Sequence, residues 1–90
     1  MAVKEPLTPK PPREASEVAD AVSRMMRALA RRASSGDLQA LVEMAALQGE
    51  LRAQMRRAAT ELRLHHGYSW ADLGLALGIS RQAAEQRWGS

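Results

Sequence analysis

Ninety residues allow one domain, and the 46% of the chain that is hydrophobic is carried by Ala, Leu, Met and Val, with no Phe and a single Tyr. That is helix-forming composition, so an all-α chain is the default expectation. The absence of Cys excludes disulfides, thiol chemistry and cysteine-based zinc sites together, and the net charge of +3 rests on eleven Arg against two Lys.

Residues 1–12 hold all four prolines (Pro6, Pro9, Pro11, Pro12) and little that is apolar. Proline at that density removes backbone donors and fixes extended geometry, so this stretch reads as a disordered Pro-rich tail. A solvated tail is the simpler account. The alternative is a basic arm of Lys4, Lys10 and Arg13 that reaches a nucleic-acid groove.

Residues 13–66 read as a helical hairpin and dimerisation region. From about Arg13 the chain turns helical, with Val18, Val22, Met25 and Leu29 recurring as one buried stripe. Glu14, Glu17 and Asp20 near its start and Arg24, Arg27, Arg31 and Arg32 near its end both suit the helix dipole. Ser34-Ser35-Gly36 breaks this helix, and Asp37 caps the next.

No proline interrupts residues 37–67, which predicts one long second helix to about His65. Leu41, Met44, Gln48, Leu51, Met55, Ala58 and Leu62 step along it in a heptad register. The register asks for a partner helix: the first helix folded back, a second copy of the chain, or both. Gly49 inside the register predicts a kink or a close helix approach. Arg56, Arg57 and Arg63 near the end of this helix are candidate phosphate contacts. His65-His66 suits a helix C-terminus better than a metal site, because adjacent histidines point to different faces and no further ligand is near.

Residues 67–90 carry the most specific pattern. Ser69 caps a short helix with Asp72 as its capping-box partner, and Leu73 and Leu77 form the buried stripe. Gly78 stops that helix, Ile79 drops into the core beneath the turn, and Ser80 caps a second short helix whose apolar face is Ala84 and Trp88. By spacing this is a helix-turn-helix, whose second helix is suited to the major groove of DNA. With Ala84 and Trp88 pointing inward, Gln82 and Gln86 point outward, with Ala83 and Glu85 beside them. Glutamine amides fit an adenine edge and alanine a thymine methyl, so Gln82, Gln86, Ala83 and Glu85 are candidate base contacts, with Arg81 able to swing toward a guanine. Glu85 is also four residues from Arg81, and an ion pair between them is the more conservative account. Arg87, Ser69, Trp70 and Ser80 are candidate phosphate contacts, through a guanidinium, an indole N–H and the starts of the two helices.

The runs Ser69-Trp-Ala-Asp-Leu-Gly, Leu77-Gly-Ile-Ser-Arg-Gln-Ala-Ala and Arg87-Trp88 resemble the helix-turn-helix of small actinobacterial DNA-binding proteins and, more loosely, the fourth region of sigma factors. The resemblance covers about a quarter of the chain and implies DNA binding without implying an operator. Gly74 departs from it, standing where alanine is common, a change that costs helix propensity and leaves the outward residues untouched. The arginine bias suits such a partner, although GC-rich coding gives the same bias.

The expected architecture is therefore all-α: an N-terminal helical hairpin whose long second helix leads into a C-terminal tri-helical helix-turn-helix with no wing. The expected function is DNA binding by helix 80–88 in the major groove, as a transcriptional regulator or a nucleoid-associated protein of a bacterium. A symmetric homodimer would set two such helices about 34 Å apart on the duplex. The alternative is a helical protein–protein interaction module such as an adaptor or anti-sigma-like protein. It should expose apolar residues where this chain has Arg81, Gln82, Gln86 and Arg87. No set of nucleophile, base and orienting group points to an enzyme, and no cofactor, metal or small-molecule ligand is expected. No apolar run approaches the ~20 residues of a membrane span and no signal-peptide pattern opens the chain, so a cytoplasmic location on the nucleoid is expected.

Overall fold

A computed structural model describes residues 14–89, and all their regular structure is helical: α1 (Ala15–Ser34), α2 (Leu38–His65), α3 (Trp70–Leu77) and α4 (Arg81–Trp88). The expected Pro-rich tail and its basic arm lie outside the described residues. The chain divides into two compact units between Met44 and Ala45, a point inside α2.

In the first unit, α1 starts without a side-chain cap at Glu14 and buries no residue. The stripe expected to be buried is open: Val18 is 47%, Val22 50% and Met25 70% exposed, and only Leu29 is half-buried. Periodicity correctly locates the apolar side of α1, but nothing among the described residues covers it. The α1–α2 turn closes as expected from Asp37, whose Oδ1 accepts from the Ala40 N–H at 3.2 Å. The same carboxylate pairs with Arg32 at 3.2 Å, tying the end of α1 to the start of α2.

Through the second unit α2 continues unbroken past Gly49, and a Cβ at Gly49 would meet nothing within 4 Å. The close helix approach expected there is absent; this glycine faces open space. The heptad positions Leu41 and Leu51 stay exposed, whereas Met44 and Met55 are half-buried.

The core of the second unit is Ala59 of α2, Trp70 and Leu73 of α3 and Ala84 of α4, with Ile79 and Trp88 packed against it. Ile79 and Ala84 take the places expected of them. Leu77 does not: it is 49% exposed, on an open groove that it lines with Met55, Ala58, Leu62 and Trp88. Trp70 has by far the largest side chain of the four buried residues.

The turn between α3 and α4 shows how local chemistry sets their geometry. Gly78 adopts φ 73° and ψ 27°, a left-handed conformation open to glycine at no steric cost. From there the Gly78 N–H donates to the Leu75 carbonyl at 3.3 Å and the Ile79 N–H to the Gly74 carbonyl at 2.9 Å, the paired bonds of a Schellman stop. Gly74 is part of the same device. A Cβ there would lie 2.8 Å from the Ile79 carbonyl oxygen and 3.0 Å from the Ser80 carbonyl carbon and oxygen. The residue that reads in sequence as a lapse in helix propensity is the point where the turn backbone lies directly on α3.

Candidate nucleic-acid interface

Each short helix begins on a serine cap. At α3 the Ser69 hydroxyl accepts from the Asp72 N–H at 3.1 Å while the Asp72 carboxylate accepts from the Ser69 N–H at 2.8 Å, a complete capping box. At α4 the Ser80 hydroxyl accepts from the Ala83 N–H at 3.0 Å. These bonds satisfy donors that an eight-residue helix would otherwise leave open.

The backbone and side-chain hydrogen bonds from Ser69 hold the Asp72 carboxyl below its ordinary value of 3.8. A carboxylate depressed in the folded state stabilises the fold above that ordinary value, and the contribution is lost as pH falls through the lowered one. Asp72→Asn should therefore lose stability by a fixed amount above about pH 5, and the gap to the native chain should close as pH falls below 3.8. Urea midpoints taken across pH 2.5–7 check this, since a gap of constant size would mean that the carboxylate charge is idle.

The two helix starts consequently differ toward an anion. The start of α3 carries an ionised carboxylate of its own, which opposes the phosphate contact expected at Ser69. The start of α4 has no acidic residue in its first turn. Ser80 is therefore the better-placed of the two for a phosphate.

On α4 the burial follows the sequence pattern. Ala84 is 0% exposed, Ala83 and Trp88 are half-buried, and Arg81, Gln82, Glu85, Gln86 and Arg87 are exposed. With Ala84 pointing inward and about 100° per residue, Gln82 and Gln86 lie within about 20° of straight outward with Ala83 and Glu85 beside them, whereas Arg81 and Arg87 lie about 60° to either side of Ala84. The Arg81–Glu85 ion pair does not form, so both side chains stay available.

The α2 arginines take distinct positions. Arg57 is exposed. Arg63 is exposed as well, but its guanidinium stacks over the Trp70 ring, 4.6 Å from the centroid. Arg56 is half-buried, and its Nε is closed off from solvent with no hydrogen-bond partner. Trp70 itself is a core residue, so the phosphate contact expected of its indole gives way to packing. Sequence reasoning missed Arg52: it lines one groove with Gln48, Leu51, Met55, Trp88 and Arg87, which brings a second guanidinium to the α4 end of the unit. Its position three and four residues before Met55 and Arg56 was the available signal. A second, apolar groove runs between Met55, Ala58 and Leu62 of α2 and Ala76, Leu77 and Trp88, and takes nothing from the outward side of α4.

Among the described residues no helix is long and apolar enough to cross a membrane, and no group of three or more His, Cys, Asp or Glu is placed to hold a metal ion. His65 and His66 are exposed, with His65 Nε2 3.8 Å from the Glu61 carboxylate one turn earlier. No family model matches this chain, and searches of curated proteins and of solved structures give no significant match.

Proposed function

We propose that this chain binds double-stranded DNA by laying α4 in the major groove, with α3, α4 and the second half of α2 acting as a tri-helical helix-turn-helix without a wing. The observation that carries the reading is the division of α4 itself. One small residue, Ala84, is sealed in the core, while two amides stand exposed on the opposite side of α4 and two exposed guanidinium groups stand on its flanks nearer the core, on a helix that follows a glycine turn. Gln82 and Gln86 then meet base edges, with Ala83 and Glu85 beside them. Arg81 and Arg87 reach the sugar–phosphate walls, joined by Arg52 and Arg57 and by the open N–H groups after Ser80. Arg63 contributes through the edge of its guanidinium that the Trp70 ring leaves uncovered.

Such a protein acts by occupying its sites, as a transcriptional regulator or as a nucleoid-associated protein. The interaction-module alternative draws on the apolar groove beside α2. That groove and the outward side of α4 do not overlap, so a protein partner there adds to DNA binding rather than replacing it.

Two substitutions test the assignment. Gln86→Ala should cost about 1–3 kcal/mol at one base position and relax the preference there, read by selection from a randomised duplex pool. Arg87→Ala should weaken binding to every sequence and lower the salt slope by about one. An unaltered base preference in the first removes Gln86 from readout, and an unaltered slope in the second removes Arg87 from the phosphates.

A further inference from the structure

We infer that α1 is a self-association surface whose partner is α1 of a second copy, packed antiparallel, with Val18 opposite Leu29 and Val22 opposite Met25. The inference stands apart from the DNA-binding reading, since it uses none of the residues of the C-terminal unit. Most helical stability in proteins comes from packing an apolar face, and α1 fully buries no residue. Along α1 the residues Val18, Val22, Met25 and Leu29 form one continuous stripe, with Met26 at its edge 42% exposed. Such a stripe three turns long is the seam of a helix pair.

The flanks of the stripe say which partner fits. Ala21 and Ala28 line one side and Ala15, Ala19 and Ala33 the other, and small residues there let two helices approach closely. Charge selects the orientation. Glu14 and Arg32 sit at opposite ends of α1 but on the same edge of the stripe, about 50° from its centre at about 100° per residue. In an antiparallel pair with the stated register, Glu14 of each copy comes within one residue of Arg32 of the other, giving an ion pair at both ends. A parallel pair would leave the two copies of Glu14, and of Arg32, on opposite sides of the seam and form neither ion pair. Arg32 already holds Asp37 through its Nε and one terminal nitrogen, and a guanidinium has donors to spare for a second carboxylate. The resulting dimer is isologous, the commonest closed symmetry for a homo-oligomer.

The chain has no cysteine, so introduced thiols report position directly. Sedimentation of the full chain at tens of micromolar should show a dimer. On mild oxidation Val18→Cys alone should stay uncrosslinked, because the two copies of position 18 lie 11 residues apart along the antiparallel seam, about 16 Å. An equimolar mixture of Val18→Cys and Leu29→Cys should give a disulfide-linked pair containing one of each. Circular dichroism of each variant establishes that α1 is still helical. A monomer at all concentrations overturns the inference; so does crosslinking of Val18→Cys alone, which means a parallel pair. A dimer in which the mixture stays uncrosslinked overturns it as well, because the contact then lies off α1.

Discussion

Replacing Trp70 with alanine is expected to unfold the C-terminal unit at room temperature. The three other buried residues of the core are two alanines and a leucine, too small to fill the space an indole leaves. Truncating a buried aromatic costs about 3–5 kcal/mol. A body of fewer than fifty residues has about 2–7 kcal/mol of stability to lose at the usual figure per residue, so the substitution consumes most or all of it. The Arg63 guanidinium also loses the ring it stacks on, adding about 0.5–1 kcal/mol at an exposed site. Thermal melts followed at 222 nm should lose the cooperative step of the C-terminal helices. Trp70→Phe should retain a weaker one. A melt of Trp70→Ala within about 1 kcal/mol of the native chain would mean that the core described here is not what holds the unit together.

Gly74→Val should have the second-largest effect, and it acts on geometry as much as stability. Even the first added carbon collides with the Ile79 carbonyl oxygen at 2.8 Å and with the Ser80 carbonyl at 3.0 Å, and both are backbone. No flexible side chain can move aside, so the turn and α4 must lift away from α3. Overpacking of this kind costs about 1–3 kcal/mol or more, and valine recovers little of the glycine penalty because β-branching disfavours helix. The expected result is a destabilised chain whose remaining folded fraction binds DNA poorly, measured by urea denaturation and duplex titration on the same sample. Full stability together with full binding would show that α3 and α4 do not need this contact.

Both substitutions mark where the sequence could and could not be read. Ser69 with Asp72, Gly78 and Ser80 were legible because each cap or turn is decided within six residues of chain, and all three took the expected form. The inward placing of Ala84 was equally legible, since helical period alone sets which side faces in. Cover is a tertiary quantity, however. Val18, Val22, Met25 and Leu77 have the right period and still lie open, because nothing in a stripe's spacing says whether another element reaches it. The same limit hid Gly74, whose need for a missing side chain comes from Ile79 and Ser80 lying on it, and Arg63, whose stacking partner lies across a bend in the chain. For the candidate interface, then, the outward residues of α4 could be named in advance, whereas the supporting arginines of α2 had to be sorted by where α2 meets the other helices.

The most direct measurement is a fluorescence-anisotropy titration of labelled random-sequence duplex with the full chain, repeated between 50 and 300 mM salt. The account predicts binding at low salt, with log K falling linearly against log salt by about 0.9 for each phosphate neutralised, roughly 4–5 in all if the five arginines engage. Arg81→Ala combined with Arg87→Ala should flatten the line by about two. Absence of binding at 50 mM, or binding that ignores both salt and the double substitution, would contradict it.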